Sequence, residues 1–196
     1  MRKSLITIVI ALFILTTSSI AKQYVPYNSI QPIQQLDDEG ILKNVCTSFS
    51  INKAKGYWLT ARHCALDGTM FHNKPITWIG YNDALDLAIF EADFMDSIKL
   101  ATGPPQVGDE VIIIGYPLGS IDPIVFFGRV SNPLARVDAT QTKAIFNLIG
   151  LPGNSGGPIL DKSGRLIGIG QLSNGAGLAW GISWKALADS LQGFID

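Results

Sequence analysis

The chain has 196 residues, 47% hydrophobic and 16% charged, with 20 glycines and a formal net charge of −1. These values describe one folded domain or two small ones, not a disordered or fibrous chain. No Lys/Arg cluster follows Lys3, so nothing suggests the broad basic field of a nucleic-acid partner.

Arg2 and Lys3 precede an apolar run over 5–15, broken only by Thr7 and followed by Thr16-Thr17-Ser18-Ser19-Ile20-Ala21. This is the three-part layout of a secretory signal peptide over 1–21, with the cut before Lys22. The apolar run is roughly 11 residues, against about 20 for a bilayer span. The alternative is an uncleaved anchor in which 16–20 extend the run. No second spanning candidate follows, so the expected mature chain has no stable membrane insertion and is secreted or periplasmic. Cys46 and Cys64 lie eighteen residues apart. In an exported chain such a pair reads as a disulfide. Two buried thiols are the alternative. A metal site has little support, because only His63 and His72 could join the pair.

Residues 22–43 read as an N-terminal lead-in, with Pro26, Pro32, four glutamines and a solvated acidic turn at Asp37-Asp38-Glu39. Strand-like segments follow. A hairpin is expected from 46–51 and 57–61, with further strands at 75–80 and 86–92. The Gly/Pro-rich stretch 101–109 marks a linker. Beyond it, 110–116, 125–131, 144–148, 158–160, 165–171 and 178–182 read as strands, with turns at Gly119, Pro133, Gly164 and Gly175. Ser183 can cap a helix over 184–194, with Trp184, Leu187 and Leu191 on one face. The expected fold class is all-β. Its domain spans about 44–196, with one half over about 44–102, another over about 108–183, and the terminal helix last.

Three short motifs carry the chemistry: Thr60-Ala61-Arg62-His63-Cys64, Asp86-Leu87-Ala88-Ile89-Phe90, and Gly153-Asn154-Ser155-Gly156-Gly157-Pro158. In this His–Asp–Ser order the sequence resembles the chymotrypsin-like (trypsin-like) serine protease superfamily, over roughly 40–195. The resemblance implies two six-stranded antiparallel Greek-key barrels and a Cys46–Cys64 disulfide stapling the histidine loop. It implies catalysis by His63, Asp86 and Ser155. A serine hydroxyl needs a base to take its proton, and imidazole titrates near neutrality and can return that proton to a leaving amine. Asp86 would fix the tautomer. Asp83 and Asp93 are nearby, but only Asp86 directly precedes the apolar strand. The backbone N–H groups of Gly153 and Ser155 would form the oxyanion hole.

Asn154 stands where trypsin-like zymogens carry an aspartate that pairs with a new N-terminus, and no Ile-Val-Gly-Gly start follows a basic site. Activation by that route is not expected. The serine motif and Gly164-Arg165-Leu166-Ile167-Gly168-Ile169 look more like the bacterial branch of HtrA-type and glutamyl endopeptidases, here without the PDZ domain that HtrA-type enzymes usually add. Ile149, Gly150, Leu151, Ile169, Gly170 and Gln171 are the expected substrate-binding residues, with Ile149 at the pocket floor. No acidic residue or histidine stands among them, so a small or medium apolar P1 side chain is expected. The reaction needs no cofactor and no metal; its partner is a polypeptide substrate.

Two other readings compete. One is an inactive binding or chaperone-like module on the same fold, which the intact triad positions disfavour. The other is an esterase or acyltransferase, disfavoured because the serine motif leads into strands and not into a strand–turn–helix elbow.

Overall fold

The short apolar runs fold as strands in a computed structural model that describes residues 27–93, 96–138, 141–174 and 177–194. The expected signal peptide and Gly175 lie outside the described residues. The first half holds β1 (Ile30–Leu36), β2 (Leu42–Asn52), β3 (Tyr57–Ala61), β4 (Met70–Phe71), β5 (Lys74–Pro75), β6 (Trp78–Asn82) and β7 (Leu87–Glu91). The second holds β8 (Glu110–Gly115), β9 (Ile124–Arg136), β10 (Thr142–Asn147), β11 (Pro158–Asp161), β12 (Leu166–Ser173) and β13 (Leu178–Ile182). Helix α1 (Trp184–Ser190) ends the described fold. None of its helices is long and apolar enough to cross a membrane.

The second half closes as a six-stranded barrel in the order β10-β13-β12-β11-β8-β9. The first differs in detail from the expected six-stranded barrel. It is a seven-stranded sheet ordered β5-β4-β1-β2-β3-β7-β6, with no pairing between its end strands among the described residues. At one end of the sheet β4 and β5 have two residues each, too few to carry a ladder around a closed barrel. The β2–β3 hairpin forms as expected, with Phe49 opposite Leu59. Strand β1 falls within the lead-in, and it pairs with β2 from Ile30↔Phe49 to Leu36↔Leu42. On its other side β4 meets it only at Gln34↔Met70. Over most of its length β1 is therefore an edge, where Pro32 is tolerated.

Three apolar clusters hold these layers. Val111, Ile113, Phe146 and Ile159 fill the barrel, and Ile33, Trp58, Phe71 and Phe90 pack beside the two cysteines in the sheet. Phe49 and Leu59 of the sheet join Ile112, Leu166 and Leu187 in a third cluster between the halves. Ser183 caps α1 by accepting a hydrogen bond from the Ala186 N–H, as its sequence position predicts. Leu187 and Leu191 are buried under the helix, and Trp184 Nε1 donates to the Ala101 carbonyl at 2.9 Å.

Candidate active site

The histidine motif leaves β3 and enters a one-turn 3-10 helix, Arg62–Cys64. A disulfide joins Cys64 to Cys46 on β2, anchoring this turn to the sheet from behind. Asp86 immediately precedes β7 and adopts φ +56°, a left-handed conformation that aspartate tolerates better than most residues. It is held there on all sides. Its N–H donates to Asp83 O at 3.2 Å, and its carbonyl accepts from Arg62 N at 3.0 Å. Its carboxylate accepts from the His63 backbone N–H at 2.9 Å and meets His63 Nδ1 at 2.8 and 3.1 Å. Nδ1 facing a carboxylate is the N–H of the ring when His63 is neutral, which leaves Nε2 as the basic nitrogen. Asp83, the nearby rival, instead pairs with Arg62 at 2.9 Å.

Ser155 lies between β10 and β11 in the glycine-rich turn. Its carbonyl accepts from Thr47 N at 2.8 Å and lies 3.8 Å from Cys64 Sγ, so the serine turn packs directly on the histidine loop. Two glycines make that approach possible. Gly156 has φ +82°, and a Cβ there would collide with Thr60 Oγ1 and the Thr47 carbonyl. Gly153 has φ +98°, and a Cβ there would strike the Tyr116 carbonyl. The Ser155 hydroxyl donates to the Gln171 carbonyl at 3.1 Å. Among the described residues it makes no hydrogen bond to His63. The Pro152 carbonyl accepts from Leu118 N at 2.7 Å. Because a trans peptide aims its C=O and N–H in opposite directions, the Gly153 N–H turns away from the Leu118 loop. Neither Gly153 N–H nor Ser155 N–H donates to an acceptor among the described residues. Asn154, one residue before the serine, is 3% exposed, and its side-chain amide pairs with no described residue.

Beside Ser155 opens a cleft of about 300 Å³. Of the expected lining residues, Gly150, Leu151, Gly170 and Gln171 are there. Ile149 and Ile169 do not line this cleft. Ile149 is 54% exposed. Ile169 is fully buried in the cluster between the halves, because strand alternation turns it to the opposite face from its neighbours. Ile113 of β8 and Ala179 of β13 line the cleft. Sequence reading missed both, since they come from strands distant in the chain and carry no motif. Pro152 and Leu172 add apolar walls, and among the described residues no charged side chain lines the cleft.

Lys143 was also missed, and nothing in its local sequence marks it. Its ammonium donates to Gln171 Oε1 at 2.5 Å. Burial pushes its pKa down, while the charges of Asp86 and Asp138 oppose that shift. His72 stacks on Phe71 and is exposed.

Comparison with known proteins identifies the family and the fold. Residues 46–169 match the trypsin-like peptidase domain family. "Serine protease Do-like HtrB" of Bacillus subtilis is 33% identical over 148 residues, covering 63% of this chain and 31% of that protein. The "Probable periplasmic serine endoprotease DegP-like" of Chlamydia pneumoniae is 33% identical over 130 residues, covering 58% of this chain and 26% of that protein. The chain thus spans about a third of the length of these curated relatives. The crystal structure of the Rv3671c protease from M. tuberculosis in its active form superposes with a TM-score of 0.72 at 20% identity. That match covers 91% of this chain and 85% of that one. The family match extends over more than half of the sequence: this chain belongs to the trypsin-like peptidase family.

Proposed function

We propose that the chain is a secreted or periplasmic serine endopeptidase that cleaves peptide bonds through His63, Asp86 and Ser155. The observation that carries this reading is the Asp86 carboxylate on His63 Nδ1 at 2.8 Å, which fixes the ring with Nε2 available as a base. In the resting site the serine hydroxyl rests on the Gln171 carbonyl. Catalysis then requires it to rotate toward Nε2 as substrate enters, in line with catalytic hydrogen bonds that tighten only in the complex.

Ser155 Oγ attacks the scissile carbonyl carbon while His63 Nε2 takes its proton. Asp86 stabilises the imidazolium. The carbonyl oxygen becomes an oxyanion, which the Gly153 and Ser155 N–H groups receive. The C–N bond breaks, His63 returns the proton to the leaving amine, and an acyl-Ser155 ester remains. Water attacks that ester with His63 again as base, releasing the acid and restoring the serine. The wall of Ile113, Leu151, Pro152, Leu172 and Ala179 suits a small or medium apolar P1 side chain. The leader-like segment 1–21 supports export, and a disulfide in the fold suits an oxidising compartment.

Peptide-library profiling of the mature chain, with Ser155→Ala as control, tests the reading. Cleavage after small or medium apolar residues that vanishes in Ser155→Ala is the expected result. Cleavage retained in Ser155→Ala would reject the nucleophile. Preference for a charged P1 residue would reject the pocket assignment.

A further inference from the structure

Gln171 does more than line the cleft. It is 3% exposed and lies on β12 of the closed barrel. Its amide nitrogen crosses to the other half of the molecule, donating to Leu85 O at 2.5 Å and to Asp86 O at 3.1 Å. These are the two carbonyls at the entry to β7, where Asp86 holds its left-handed conformation. The main-chain carbonyl of the same residue accepts the Ser155 hydroxyl. One residue therefore touches the serine through its backbone and the aspartate loop through its side chain.

Lys143, from β10, determines which way that amide points. An ammonium offers donors and no acceptor, so the group facing it must be the amide oxygen. The NH₂ end is then directed at Leu85 and Asp86, where it meets two acceptors. If the amide were reversed, its NH₂ would face the ammonium and its oxygen would face two carbonyls. All three polar contacts would turn from attractive to repulsive. Burial lowers the Lys143 pKa, and the negative charges of Asp86 and Asp138 oppose that shift. Such a half-buried ammonium is retained at a desolvation cost that Gln171 Oε1 offsets.

We propose that Lys143 and Gln171 form an inter-barrel clasp that positions Asp86, and through it His63, relative to Ser155. The clasp rests on the proposed triad, and both are positioning residues that act through Asp86. Without it, the remaining hydrogen bonds of Asp86 among the described residues all come from its own half. Misplacement of a catalytic group by even an ångström costs roughly 100-fold in rate.

Gln171→Glu is the sharpest variant. It is nearly isosteric and keeps an oxygen for Lys143, but presents an acceptor to the Leu85 and Asp86 carbonyls. Gln171→Met, without a donor or a charge, covers the case in which the glutamate unfolds the protein. Lys143→Met removes the cation that holds the amide oxygen. Two readouts are needed. The first is the split between kcat and KM on a small peptide. The second is the hydrogen-bonded His63 Nδ1–H proton resonance, recorded in a Ser155→Ala background and so independent of turnover. In Gln171→Glu the expected result is a fall in kcat of roughly 100-fold, with KM little changed and the His63 resonance shifted or lost. Lys143→Met gives a smaller fall in kcat in the same direction. Wild-type kcat and an unmoved resonance in a folded Gln171→Glu or Gln171→Met would overturn the clasp. A resonance that depends on Gln171 in a wild-type protein inert to every peptide would uphold the clasp and remove the peptidase reading.

Discussion

Cleaving the bridge between Cys46 and Cys64 should lower stability by an amount set mainly by the loop it closes. The bridge encloses 18 residues of separation, comprising the β2–β3 hairpin and the histidine turn. Loop-closure entropy for that length is about 11 cal/mol/K, or roughly 3 kcal/mol at 25 °C. For a domain of this size, each 1 kcal/mol lowers the melting midpoint by about 2–4 °C. The double variant Cys46→Ala/Cys64→Ala should therefore melt about 6–12 °C below the wild type. Calorimetry with and without reductant separates the cross-link from the packing of two buried sulfurs. Reductant should lower the wild-type midpoint by most of that interval and leave the variant's unchanged. A reductant shift of less than about 2 °C, the equivalent of under 1 kcal/mol, would refute the loop-closure reasoning.

Two further outcomes follow from the packing and protonation of the core. Leu187→Ala empties a fully buried position where α1 meets both halves, and denaturant unfolding should show a loss of about 2–5 kcal/mol. Tyr116 donates its hydroxyl to Ile30 O at 3.1 Å, and burial, with a lesser contribution from Asp122, raises its pKa above 10.0. The folded state thus keeps this proton at pH values where the unfolded chain releases it. Stability contributed by Tyr116 is fully present below about pH 10 and is lost as pH rises through the raised folded pKa. Tyr116→Phe should be about 1 kcal/mol less stable at neutral pH, and the gap should narrow above pH 10 in denaturant titrations. A gap that widens there would contradict the sign.

Sequence reached much of this architecture because local rules and tertiary packing agreed. The β2–β3 hairpin, β7, β8 and β13 carry β-branched or aromatic runs bounded by turn residues. Ser183 stands at the helix start as a cap. The site motifs were legible for a related reason. Gly153 and Gly156 sit where a Cβ would strike the neighbouring chain, so the serine turn leaves a distinct trace in sequence. Strand β1 was not legible. Its buried positions, Ile30 and Ile33, are spaced by three, and Pro32 interrupts the run, so the alternation of a half-buried strand is missing. Lys143, Ile113 and Ala179 were hidden because their roles arise only when distant strands close the barrel. The family resemblance puts Ile149 at the pocket floor, and the residue is half exposed.

The central claim is that His63 activates Ser155 while Asp86 holds the imidazole. It is tested most directly by covalent labelling with a fluorophosphonate, followed by mass spectrometry of the modified peptide. A single adduct on Ser155 is expected in the wild type. Labelling should be slowed by orders of magnitude in a folded His63→Ala variant, because the serine then lacks its base. No adduct on the wild-type protein, or equal labelling rates in the two proteins, would contradict it.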